Sequence, residues 1–220
     1  MEGSPSLRSV IFDLDGTLID SSPSILECFA TVLANAGLHP VVPLDSSLIG
    51  PPLRQTLMNI SGLSSGEQVD GLVRGFQEIY DVEGYKSSRV YPGVEELLCR
   101  LAASDIPLAI ATNKRRTPTL KILDYLGWSG YFRVVGTLDT PVPPHANKAA
   151  LIRSIVEEMR LSPESSLYVG DKLEDGEAAE ANRMPFFAAG WGYGDWGAIA
   201  MPPGWRLIRS PHEIVVSGRM

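Results

Sequence analysis

Apolar positions along the chain keep two different rhythms. Short, mostly apolar runs at residues 10–12, 107–112, 132–135, 167–169 and 186–189, with a sixth candidate at 205–208, are too brief for helices. Their lack of polar alternation is what a strand buried on both faces requires. Between them, apolar residues recur every three or four positions. Ile25, Phe29, Val32, Leu33 and Ala36 predict a helix opened by Ser21-Ser22-Pro23 and stopped at Gly37. Leu53, Leu57 and Ile60 predict a short second helix, and Val69, Leu72, Val73, Phe76, Ile79 and Tyr80 a third. Further helices are expected at 94–104, from near Thr117 to Gly127, at 146–159 and at 173–182.

Strands alternating with helices predict an α/β fold with a doubly wound parallel sheet. The three helices after the first strand break that alternation. They predict a mostly helical block over 19–88, set between a core of 1–18 and 89–220. From the pattern alone, this block either forms a body of its own or lies over the sheet.

Composition narrows the function. The 220 residues suffice for one large domain, or a core with an insert. A net charge of −7 argues against nucleic acid as a partner, which would call for a basic surface. Cys28 and Cys99, far apart, are expected to be free thiols in a reducing cytoplasm. No apolar run approaches membrane-spanning length, and residues 1–9 lack a signal peptide's apolar core. The expectation is a cytoplasmic protein, monomer or homodimer, that neither enters a membrane nor binds nucleic acid.

Polar chemistry gathers at the strand ends. The first apolar run stops on Asp13-Leu14-Asp15-Gly16-Thr17, where alternate residues of an extended chain share a face, so both carboxylates are expected to point the same way. In an open α/β sheet, ligands bind beyond the C-terminal ends of the strands. The second core strand ends in Thr112-Asn113-Lys114, and the fourth in Gly170-Asp171 with Asp175 one helical turn later. Hard divalent cations take such carboxylate oxygens. Lys148 opens a helix, with Lys114 and Lys172 as rivals for the role of a cation beside the carboxylates.

Asp13-Leu14-Asp15-Gly16-Thr17-Leu18, followed in order by Thr112, Lys148 and Gly170-Asp171, resembles the four motifs of the haloacid dehalogenase superfamily. The second aspartate, absent from the dehalogenases themselves, points to the phosphatase branch. Trp191-Gly192-Tyr193-Gly194 is similar to a segment of its phosphoglycolate-phosphatase-like members. The resemblance implies a Rossmann-like core, a small helical cap over 19–88, and magnesium-dependent hydrolysis of a small phosphorylated metabolite. Asp13 would attack phosphorus to give an aspartyl-phosphate. Asp15 would be general acid and then base.

Gly16, Thr17, Thr112 and Asn113 would contact the phosphate, and Lys148 would neutralise it. Asp13, Asp15, Asp171 and Asp175 would serve the metal. Asp175 is left three roles, as metal ligand, holder of a metal-bound water, or anchor for Lys148, and Glu174 is its rival. Arg54, beside Gly50-Pro51-Pro52-Leu53, is either a clamp for a second anionic group of the substrate or an exposed helix residue. The prolines at 141, 143 and 144 depart from the family's usual loop, and a left-handed residue is expected at Asn182 or Arg183. A nucleotide or pyrophosphate hydrolase is the alternative, followed by a sugar-phosphate mutase or a non-catalytic binding module.

Overall fold

The six apolar runs pair into one sheet. In the computed structural model, which describes residues 8–141, 143–198 and 200–215, the strands are β1 (Ser9–Phe12), β4 (Leu108–Thr112), β5 (Phe132–Thr137), β6 (Ser166–Gly170), β7 (Phe186–Ala189) and β8 (Trp205–Ile208). Their order is β5-β4-β1-β6-β7-β8, every pairing parallel. The chain leaves β1 in one direction for β4 and β5, then returns to its other side for β6. β1 therefore marks the switch point, where such sheets bind ligands.

Alternation along each central strand builds two cores. Val10 and Phe12 of β1, Leu108 and Ile110 of β4, and Leu167 and Val169 of β6 pack on one face with helices α4 (Val94–Ala103) and α5 (Arg116–Tyr125). Ile11, Ala109, Ala111 and Tyr168 pack on the other with α6 (Lys148–Glu158) and α7 (Leu173–Ala181). The sheet is doubly wound, as the alternating pattern requires.

Helices α1 (Ser22–Asn35), α2 (Leu53–Ser61) and α3 (Glu67–Tyr80) share a third cluster around Phe29, Leu33, Leu57, Ile60, Phe76 and Tyr80. They bury their apolar faces mainly against one another and not on the sheet. The chain enters and leaves this helical body through two short strands, β2 (Ile19–Asp20) and β3 (Arg89–Val90), paired antiparallel. Two residues cannot show a period, so the pattern did not reveal these strands. Strand β5 runs two residues past the expected end, and α6 begins two residues later than expected, after Asn147, whose side chain accepts from the Ala150 N–H at 2.9 Å. Arg183 takes the left-handed turn after α7, with φ +56°. No helix among the described residues is long and apolar enough to cross a membrane.

Candidate active site

β1 ends at Phe12, and its register with β6 delivers Asp13 to the sheet's C-terminal edge, where its N–H donates to the Val169 carbonyl at 2.9 Å. Gly16 then turns the chain with φ +85°. A Cβ there would lie 2.3 Å from Asp171 Oδ2, so only glycine lets the loop pass this close to the carboxylate. β6 brings Asp171 to the same edge, and the first turn of α7 brings Asp175. One oxygen each of Asp13, Asp171 and Asp175 lies within 4.8 Å of the other two, and all three residues are buried.

Their remaining contacts separate their roles. Asp175 Oδ1 accepts from Lys148 Nζ at 2.5 Å and from the Tyr168 hydroxyl at 3.3 Å, while Oδ2 accepts the N–H groups of Asp171 and Lys172 at 3.0 and 2.9 Å. Both oxygens are committed, so of its three expected roles the contacts favour anchoring Lys148. Lys148 Nζ also lies 3.1 Å from Asp13 Oδ1. Its direction does not make a hydrogen bond there, and Asp13 Oδ1 has no donor among the described residues. Asp171 Oδ2 accepts the Tyr193 N–H at 2.7 Å, and its Oδ1 also has no donor.

Two buried carboxylate oxygens without donors are costly unless a cation takes them. Burial pushes Asp13 up to about 7, and the charges of Asp175 and Asp15 add to this against the pull of Lys148. Burial, then Asp175 and Asp13, raise Asp171 well above the usual carboxylate range. Lys148 is raised well above its ordinary value, because Asp13 and Asp175 outweigh the cost of its burial. One ammonium among three carboxylates leaves negative charge unbalanced, and Asp13 and Asp171 fit a hard divalent cation with oxygen ligands.

Asp15 does not join this cluster. Its carboxylate turns to Lys114 Nζ, 3.1 Å from both oxygens, and accepts from the Ser21 hydroxyl at 2.5 Å. Ser21 holds the N-cap position of α1 but makes no side-chain cap, since its hydroxyl is engaged by Asp15. Lys114 also lies 4.6 Å from the centre of the Tyr80 ring. Burial lowers Lys114, but Asp15 and Tyr80 together raise it to about 12, so it stays charged.

One cavity collects much of this chemistry. It has a volume of about 70 Å³ and lies between the sheet edge and helices α1–α3. Asp13, Asp15, Thr112, Asn113 and Lys148 all reach it, so both carboxylates of the first motif face the same space. Gly16, Thr17 and Arg54 do not line it. Thr17 is buried, with its carbonyl accepting from Trp191 Nε1–H at 3.0 Å. Arg54 projects from α2 into an exposed ion pair with Asp70.

Residues 10–189 match the family of haloacid dehalogenase-like hydrolases. The chain belongs to that family. The tyrosine-protein kinase PtkA of Mycobacterium tuberculosis is 31% identical to this hydrolase over 192 residues, covering 87% of this chain and 64% of that one. The hydrolase thus spans less than two-thirds of that relative's length. A phosphoglycolate phosphatase of Agrobacterium fabrum is 31% identical over 208 residues, covering 92% of this chain and 89% of that one. In three dimensions, a haloacid dehalogenase-like family hydrolase from Streptococcus pneumoniae is similar with a TM-score of 0.79 and 26% identity, over 96% of this chain and 98% of that one.

Several contacts of the site involve residues outside the four motifs. The motifs make Lys114 a rival to Lys148 and Ser21 a helix cap, whereas both side chains meet Asp15. Arg115 reaches the cavity while both its terminal nitrogens pair with Asp81 at the end of α3, at 2.8 and 2.5 Å. Asn113 Nδ2 donates to the Gly50 carbonyl at 2.8 Å, joining the sheet edge to the loop before α2. The Tyr193 hydroxyl accepts from the N–H groups of Ser21 and Ser22 at 2.9 and 3.1 Å, and donates to Asp20 at 2.9 Å. Gly192 permits this loop to sit close, because a Cβ there would meet the Gly16 carbonyl at 2.2 Å.

Proposed function

We propose that this hydrolase cleaves a small phosphomonoester through a phosphoryl group carried on Asp13, with residues 19–88 as a cap over the site. The observation that carries this reading is the pairing of Asp13 and Asp15 in one cavity with unlike surroundings. Asp13 keeps an oxygen free of donors beside an ammonium and has Asp171 next to it. Asp15 is held apart from them by Lys114 and Ser21.

Asp13 attacks phosphorus from its ionised form, which the Lys148 charge favours against burial. Asp15 gives its proton to the leaving oxygen and later takes one from the attacking water. Asp175 holds Lys148 at Asp13, and the Lys148 ammonium balances charge gathering on the phosphoryl oxygens. The Thr112 hydroxyl and the loop at Asn113 position the phosphate. Asp13 and Asp171 would hold magnesium, whose charge would neutralise the phosphoryl group and bring both carboxylates to their ionised forms.

Phosphoglycolate, the substrate in the names of several relatives, is one ester to include in the test. The test is turnover of an aryl phosphate with and without magnesium. Magnesium-dependent release of phosphate that a chelator abolishes supports the reading. Equal release in metal-free buffer contradicts it.

A further inference from the structure

The cap side of the cavity differs in kind from the sheet side. Ile25 and Phe29 of α1, Leu48 and Ile49 of the following loop, and Phe76 and Tyr80 of α3 form a buried apolar roof. Among the described residues, three lysine or arginine side chains reach the cavity, Lys148, Lys114 and Arg115, and all come from the core. Each already faces carboxylate: Lys148 meets Asp175 and Asp13, Lys114 both oxygens of Asp15, and Arg115 both oxygens of Asp81. The Lys and Arg residues of 19–88 are Arg54, Arg74 and Lys86, and none lines the cavity. Arg54 pairs with Asp70, and Lys86 with Glu83.

A substrate bound with its phosphate at Asp13 must point its alcohol portion away from the charged floor, under this roof. A second anion there would be desolvated among Phe, Leu and Ile side chains, while in the resting site each cation of the described residues that reaches the cavity faces a carboxylate. A hydrocarbon portion would bury apolar surface against Ile25, Phe29, Leu48, Ile49 and Phe76, with the Tyr80 hydroxyl and Asn113 Oδ1 left as the unpartnered polar atoms of the lining. Resting on the phosphatase reading above, we infer that the true substrate is the phosphate ester of a small uncharged, hydrocarbon-rich alcohol, and that the roof selects against carboxylated esters such as phosphoglycolate.

Isobutyl phosphate and phosphoglycolate make a matched pair, since –CH(CH₃)₂ and –CO₂⁻ have similar shape and differ in charge. An aryl phosphate, run alongside with magnesium, reports on the phosphatase reading by itself. The expected kcat/KM for isobutyl phosphate exceeds that for phosphoglycolate by about tenfold or more, the scale on which pockets discriminate by one misplaced group. Leu53→Lys places an ammonium at a half-buried roof position. It is expected to shift the ratio toward phosphoglycolate by about tenfold, again the scale of one such group.

An aryl phosphate turned over together with equal or better use of phosphoglycolate overturns the inference and leaves the phosphatase reading standing. No hydrolysis of any of the three esters overturns the phosphatase reading and the inference that rests on it. If Leu53→Lys does not fold, as judged by circular dichroism, the ratio for the unaltered protein decides the question alone.

Discussion

The floor of the cavity is made by strand ends and their loops, and its roof by helices α1–α3. Asp13, Asp15, Thr112 and Lys148 on the floor are polar or charged, and the first and last of these carry buried ionic contacts. The roof offers Phe29, Phe76 and their apolar neighbours, continuous with the cluster that holds the three helices together. The floor's groups sit on a sheet packed on both faces, which fixes them to the tolerance that phosphoryl transfer demands. The roof rests on its own core, so its lining can change without disturbing the strands beneath. On the proposed function, the floor would break the ester and the roof would select which ester is admitted.

The largest effect is expected on the floor. Asp13→Asn removes the attacking oxygen, and activity should fall by more than about a thousandfold with every leaving group. Steady-state rates with aryl and alkyl esters check this, and substantial remaining turnover would erase the distinction between floor and roof. Lys148→Met comes next. It strands Asp175 and Asp13 as buried carboxylates, and loss of one partner of such a network costs about 3–5 kcal/mol. Chemical denaturation should show that loss, and magnesium should restore only part of it.

A smaller effect appears in pH dependence. Asp13, ordinarily near 3.8, is pushed up to about 7 in the fold, mainly by burial. Between those values the folded protein keeps a proton that the unfolded chain has released. Stability of the metal-free protein should therefore fall as pH rises from about 4 to 7, the sign set by proton linkage, and Asp171, raised in the same direction by burial, adds to the fall. Thermal melts in chelator should show this slope, and Asp13→Asn should reduce it, leaving the part due to Asp171. The smallest effect belongs to Arg54→Ala on the outer face of α2. Its exposed pair with Asp70 is worth about 0–1 kcal/mol, and KM should not move for any ester.

How much of this was legible follows from how local each signal is. Asp13, Thr112 and Asp171 each end an apolar run, and a strand end with a polar residue is visible within a few positions. The sheet and its two-sided burial follow from the same runs. Lys114 was visible as a residue but not as Asp15's partner, because that contact joins positions 99 apart in the chain. Arg115 meets Asp81 for the same reason of tertiary approach. Ser21 looked like a cap because local pattern favours that role, and Asp15 took its hydroxyl instead.

Arg54 shows a different limit. Leu53 and Thr56 line the cavity, and one residue along a helix turns the side chain by about 100°, enough to carry Arg54 out to Asp70. The apolar spacing of Leu53, Leu57 and Ile60 sets the buried face of this helix, but which flanking position meets the cavity depends on how the helix packs in the fold.

The division of labour between Asp13 and Asp15 is tested most directly in Asp15→Asn mixed rapidly with an aryl phosphate and magnesium. An aryl oxide leaves with little help from an acid, so attack by Asp13 should survive, while loss of the base slows attack by water. The expected result is a burst of aryl alcohol followed by slow turnover, with the mass of one phosphoryl group found on the peptide carrying position 13 and mapped by fragmentation to Asp13. No burst and no phosphorylated peptide, or a phosphoryl group mapped elsewhere, would contradict the account.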